Sequence, residues 1–152
     1  MTNQTMGHKG NASRKMQVYD PVRQKYVALT PEEQVRQFVI RFLHKECGVP
    51  LGHISAERPM RLYEKTFRTD LQVKDRQGKA VMVIECKRPG IPLDEKVLEQ
   101  AMRYNMGEKE KFVVVTNGRE FKCYAARTQD GKRIWTERDS FPDWAELAEN
   151  VK

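Results

Sequence analysis

A mixed α/β fold, a central β-sheet flanked by helices, is what the order of hydrophobic periods in this sequence predicts. Three observations carry that prediction: a capped helical segment from Thr30 to about Glu46, two buried strands at Ala80–Ile84 and Lys111–Thr116, and a second helical segment lying between them. The order helix, strands, helix, strands, helix places strands in one sheet with helices against it.

Taken in order, residues 1–17 read as a disordered basic tail, rich in Asn, Thr, Gly, Lys and Ser, and residues 18–152 as a single domain. Val18–Leu29 reads as an extended segment or hairpin. Thr30-Pro31-Glu32-Glu33 is a helix start, with Thr as N-cap, Pro at the first position and acids in the first turn. Val35, Phe38, Val39, Phe42 and Leu43 follow at helical spacing until Gly48-Pro50 stops the run. Phe67, Thr69, Leu71 and Val73 alternate with Arg68, Asp70 and Gln72, the period of a strand with one buried face. Asp75–Gly78 is a turn candidate. Ala80–Ile84 is apolar at every position, as a strand covered on both faces would be. Ile91-Pro92 breaks the chain before a helix from Leu93 to about Met106. Asn117-Gly118 is a tight-turn signal joining Lys111–Thr116 to Phe121–Ala126. Asp130-Gly131 turns into a strand at Arg133–Thr136, and Ser140-Phe141-Pro142 opens a short last helix.

Composition narrows the class. With 152 residues, 39% of them hydrophobic and 32% charged, the chain fits one compact domain of ordinary soluble character. No apolar run approaches the ~18–20 residues that cross a bilayer, and Met1–Asp20 has no apolar centre for a signal peptide. Cys47, Cys86 and Cys123 form neither a disulfide framework nor a zinc pattern, so a reducing cytoplasm is the simplest location. His8, His44 and His53 are scattered, without metal-ligand spacing. The formal charge of +7 points toward phosphate-bearing partners. Residues 1–26 hold Lys9, Arg14, Lys15, Arg23 and Lys25 against Asp20 alone, a net +4 that leaves +3 for the body. A solvated basic tail is the plain explanation, and the charge decides nothing by itself.

The informative feature is Asp70 followed by Glu85-Cys86-Lys87. Phosphodiester cleavage with a divalent metal needs hard oxygen ligands and a group that orients water. Two carboxylates supply the first, and a lysine beside them can hold the water and offset charge developing on phosphorus. Glu85 and Lys87 are two apart on one strand, so both side chains leave the same face. If the Asp75–Gly78 loop closes a hairpin, Asp70 falls opposite Val83, on the face of Glu85 and Lys87. Cys86 points the other way, into the core. Surface ion pairs are the plain alternative for such residues, but Glu85 ends a fully apolar strand, where a carboxylate carries a desolvation cost. On the second helix Gln100 and Tyr104 are four apart and continue the Leu93, Val97, Ala101 stripe, so both are expected to face the sheet. A core Tyr with a Gln at the border is the simpler reading of that pair alone.

Several pieces together resemble the N-terminal nuclease domain of type I restriction enzyme R subunits, a branch of the PD-(D/E)XK nucleases. They are Tyr19-Asp20-Pro21-Val22-Arg23 through Leu29-Thr30-Pro31-Glu32-Glu33-Gln34-Val35-Arg36-Gln37, then Arg68-Thr69-Asp70, Ile84-Glu85-Cys86-Lys87-Arg88-Pro89, Gln100-x-x-x-Tyr104 and Val115-Thr116-Asn117-Gly118. The likeness spans about residues 18–126. It implies a restriction-endonuclease-like core and a Mg²⁺-dependent phosphodiesterase acting on DNA, with Mn²⁺ as substitute. Asp70, Glu85 and the Cys86 backbone carbonyl would bind the metal, and Lys87 would be the catalytic lysine. Gln100 and Tyr104 would serve cleavage, and Glu33, or else Glu32, would reach the metal through water. A 3′-hydroxyl leaving group, a 5′-phosphate product, and other restriction or defence-system subunits as partners are implied as well. One departure is plain: R subunits continue into an ATP-driven translocase, and no G-x-x-x-x-G-K-[ST] loop occurs here. Two rival readings share the same residues, a catalytically weak DNA-binding or subunit-interaction module and an RNA-directed nuclease.

Overall fold

In the computed structural model the described residues are 16–62, 65–105 and 109–149, so the expected tail lies outside them except for its last two positions. Gln17 already belongs to strand β1 (Gln17–Asp20), which pairs antiparallel with β2 (Lys25–Ala28). Asp20 makes this ribbon turn: its Oδ1 accepts the N–H groups of Val22 and Arg23 at 2.8 and 3.0 Å.

Helix α1 (Pro31–Arg41) begins as its sequence predicts, with the Thr30 hydroxyl accepting the Glu33 N–H at 3.0 Å. Its last part widens into a π-helical turn at Phe42–Glu46, and a 3₁₀ turn at Leu51–His53 leads into the main sheet. That sheet has six strands in chain order: β3 (Ile54–Leu62), β4 (Lys65–Lys74), β5 (Ala80–Cys86), β6 (Phe112–Thr116), β7 (Phe121–Gln129) and β8 (Lys132–Arg138). Neighbours run antiparallel except β5 and β6, which are parallel and joined by helix α2 (Glu95–Asn105). A short helix α3 (Trp144–Glu149) follows the sheet, capped by the Asp143 carboxylate accepting the Glu146 N–H.

Strand β3 has no counterpart among the sequence expectations. Its Ser, Glu, Arg and Pro59 disrupt the alternation that marks a half-buried strand. It sits at the sheet edge, a setting in which a strand tolerates proline. The other strands and helices fall within a few residues of their predicted bounds.

Two layers cover the sheet. On one face Val35, Val39 and Ile40 of α1 and Leu43 of the π-helical turn pack with Leu71, Val73, Met82, Ile84, Cys86, Phe112 and Val114, and Leu147 of α3 joins them. On the other, Leu93 and Ala101 of the α2 segment pack on Val115. Every residue of β6 is buried because both faces are covered, which is why it reads as an unbroken apolar run. No helix among the described residues is long and apolar enough to cross a membrane.

Candidate active site at the β4–β5 end

Along β5 the alternate residues Met82, Ile84 and Cys86 enter the α1-side core, so Val83 and Glu85 occupy the α2 face. Burial falls at Glu85, where the strand leaves its cover. Lys87, two residues on, returns to the same side and its Nζ lies 2.5 Å from Glu85 Oε2. The glutamate side chain is 20% exposed and the lysine 30%.

Asp70 reaches Glu85 through a register different from the expected one. Gln72, not Asp70, stands opposite Val83, and Leu71 stands opposite Ile84, which brings Asp70 level with Glu85. Two local events shift the pairing by two residues. The loop closes between Asp75 and Lys79, whose carbonyl accepts the Asp75 N–H at 2.8 Å, and is one residue longer than Asp75–Gly78. The register then passes from Lys74↔Ala80 to Val73↔Met82, skipping Val81 in a β-bulge. Two single shifts preserve parity, so Asp70 keeps the face that alternation predicts. Asp75 holds the loop, its Oδ1 accepting the N–H groups of Gln77 and Lys79 at 2.9 Å each.

The Asp70 carboxylate is held at both oxygens. Oδ2 accepts the Cys86 N–H at 2.8 Å, and Oδ1 accepts Nη2 of Arg36 at 3.1 Å. Burial pushes the Asp70 carboxyl above the usual range; the Cys86 N–H and Arg36 pull it down, and the Glu85 charge adds to the rise. The Cys86 thiol is buried in the core and desolvation lifts it well above its ordinary value, which removes it as a nucleophile.

Glu33 is buried, whereas the Glu32 side chain is 54% exposed. Oε2 of Glu33 accepts Arg23 Nη2 and Gln37 Nε2, both at 2.8 Å, and Oε1 is paired with Arg36 Nη1. Gln100 departs from expectation: its side chain is exposed, while Ala101 is buried and Val97 and Leu98 are partly so. At about 100° per residue, the buried stripe Val97–Ala101 leaves Gln100 at its border and turned outward. Its partner in the motif, Tyr104, has a helical backbone but a side chain outside the described ones.

Arg36 and Arg23 were not among the expected site residues. The signal was present for Arg36, which precedes Ile40 and Leu43 at i+4 and i+7, so it extends the buried stripe of α1. Two grooves lie away from this cluster, an apolar one of about 180 Å³ edged by Phe38, Phe42, Phe121 and Phe141 and an open one of about 520 Å³ between α2 and Tyr124 and Trp135.

The donor set suits a hard divalent cation. Among the described residues no three or more His, Cys, Asp and Glu side chains cluster as a complete metal cage. Mg²⁺ does not require one, since it keeps several waters and takes one or two carboxylates; Asp70 and Glu85 could supply two, and the Glu85 charge already bears on Asp70.

Similarity to known proteins is found at the level of a family and of solved structures. Residues 31–142 match the family model described as type I restriction enzyme R protein N terminus. A solved structure described as a cryoEM structure of a DrdV–DNA complex superposes with a TM-score of 0.46 at 17% identity. The alignment covers 70% of this chain and 10% of that one, so the present chain spans about a tenth of that protein's length. No curated protein sequence matches.

Proposed function

Because the chain belongs to the type I restriction enzyme R protein N-terminus family, we propose that it is a metal-dependent nuclease domain of the PD-(D/E)XK type that hydrolyses phosphodiester bonds in DNA. The observation that carries the reading is the meeting of Asp70, Glu85 and Lys87 at the end of β4 and β5, two carboxylates and a lysine on one sheet face.

In this reading Asp70, Glu85 and the Cys86 carbonyl would hold Mg²⁺ or Mn²⁺. The cation supplies Lewis acidity toward a phosphate oxygen and lowers the pKa of water. The residues of the chain do the rest. Asp70 is preorganised by the Cys86 N–H and Arg36, so no side-chain freedom is lost when it binds a cation. Lys87 moves from Glu85 toward the attacked phosphate, orients the water for in-line attack, and stabilises the charge that grows on the nonbridging oxygens. Glu85 would hold the cation, and its ion pair with Lys87 keeps the ammonium beside the site. Gln100 and Tyr104, one turn apart on α2, contact the substrate phosphate or its water from the open side.

A cleavage assay with Mg²⁺ or Mn²⁺ on linear, circular and single-stranded DNA, with an RNA arm and Lys87→Ala as control, tests the proposal. Metal-dependent cutting of DNA that the substitution removes is the expected result. Cutting confined to RNA would reassign the substrate. DNA binding without cutting, together with no metal uptake, would leave a binding module.

A further inference from the structure

A line of alternating charges leads from the β1–β2 ribbon into the site. Arg23 bridges Asp20 and Glu33, at 2.5 and 2.8 Å, and Arg36 bridges Glu33 and Asp70. The line is largely closed to water: the Asp20 side chain is fully buried, and Glu33 and Arg36 are 6% and 9% exposed. Arg36 Nε is buried with no hydrogen-bond partner among the described residues, so this guanidinium is held by the two carboxylates it shares and by Glu32 at 3.9 Å. A buried cation shared between two anions distributes its attraction according to their charges. Any charge lost at Glu33 throws the guanidinium onto Asp70, and a cation bound at Asp70 then meets a stronger like charge.

We propose that Glu33 is a positioning residue that acts on the metal site through Arg36, as the counter-charge that keeps the guanidinium from neutralising Asp70. The inference rests on Asp70 and Glu85 being metal ligands. It gives Glu33 a role apart from contact with the metal or its water: with Arg23, Gln37 and Arg36 all donating to it, the carboxylate is committed to the protein.

Calorimetry with Mn²⁺ alone separates the two roles, using wild type, Glu33→Gln, Arg36→Gln and the double variant, with Glu85→Ala as control and a thermal melt of each. Glu33→Gln should weaken Mn²⁺ binding roughly tenfold, a coupling of the size that neighbouring charges show. Arg36→Gln alone should not weaken it, and the double variant should recover wild-type affinity because the unbalanced cation is gone. If the double variant stays as weak as Glu33→Gln, Glu33 touches the metal or its water and the proposal is wrong. If Glu33→Gln lowers only the melting temperature, its role is structural and the proposal is again wrong. Should Arg36→Gln not melt cooperatively, citrulline at position 36 keeps the shape and removes the charge, and the same comparison applies. Wild type taking up no Mn²⁺, or taking it up equally with Glu85→Ala, would overturn the nuclease reading and this inference together; Glu85-dependent uptake without rescue overturns this inference alone.

Discussion

Glu85 and Lys87 sit side by side yet should separate cleanly by experiment. Glu85→Ala removes a hard oxygen donor and should weaken Mn²⁺ binding. Lys87→Ala removes a cation 2.5 Å from that donor, so Mn²⁺ binding should hold or tighten while cleavage falls. Loss of one preorganised group aimed at developing charge typically costs ~10²–10³ in rate. Calorimetry beside plasmid nicking checks both halves, and a Lys87→Ala variant that loses metal together with activity would contradict the assignment. The geometry also limits what Asp70 can lose. Alanine there strands the Cys86 N–H and the buried Arg36, so a variant meant to test chemistry and not folding is better made with asparagine, which still accepts a hydrogen bond.

The β1–β2 ribbon and the β6–β7 turn each depend on one residue. Burial pushes the Asp20 carboxyl upward, but the Arg23 and Val22 N–H groups and the Arg23 guanidinium outweigh it and hold the folded value below the ordinary 3.8. A depressed carboxylate contributes stability above the unfolded pKa, and that contribution is lost as pH falls through the folded value. Asp20→Asn should therefore melt below wild type at neutral pH, with the gap closing only in acid below the ordinary aspartate range. A gap independent of pH would assign the effect to shape alone. At the other turn, Gly118 has φ +90°, and a Cβ there would stand 3.3 Å from Cγ2 of Val35 on α1. Gly118→Ala combines a left-handed backbone with a crowded neighbour and should cost about 1–3 kcal/mol in urea denaturation. The Asn117 side chain explains why the turn closes at all: its Oδ1 accepts the N–H groups of Arg119 and Glu120, and its Nδ2 donates to the Ile91 carbonyl, tying the loop to the start of the α2 segment.

At the scale of the molecule, charge and fold divide along the chain. More than half of the net +7 belongs to residues 1–26, while the sheet and its helices are nearly balanced. Deleting residues 1–15 removes Lys9, Arg14 and Lys15 and leaves intact β1 and the Met16 carbonyl that accepts the Leu29 N–H at 2.8 Å. That truncation should bind Mn²⁺ like the full chain and bind DNA more weakly. The salt dependence of DNA binding should become shallower, by up to ~0.9 in slope for each phosphate that the tail neutralises. An unchanged slope would mean that the basic tail does not touch the DNA backbone and that the body supplies the charge. The site itself lies at one end of the sheet, where the antiparallel pair β4–β5 meets the parallel pair β5–β6. One parallel pair requires a crossover, and the crossover helix α2 lays Val97 and Ala101 on the sheet face that holds Val115.

Features that depend on neighbouring residues were legible in the sequence. Thr30 and Pro31 start α1, Ala80–Ile84 and Phe112–Val115 are central strands, and Glu85 and Lys87 share a face because they are two apart on one strand. Period and capping are local properties, so they can be read without knowing what packs where. The remaining features come from contacts between segments distant in the chain. The Asp70 register turned on one extra loop residue and the bulge at Val81, neither marked by periodicity. Edge strand β3, with its proline and charges, exists because β4 offers it a partner. Gln100 faces outward because the angle at which α2 lies on β5 and β6, set by packing, gives the buried side to Val97 and Ala101. Arg36 meets Asp70 across 34 positions of chain, where burial makes each charge depend on the other for its counter-ion.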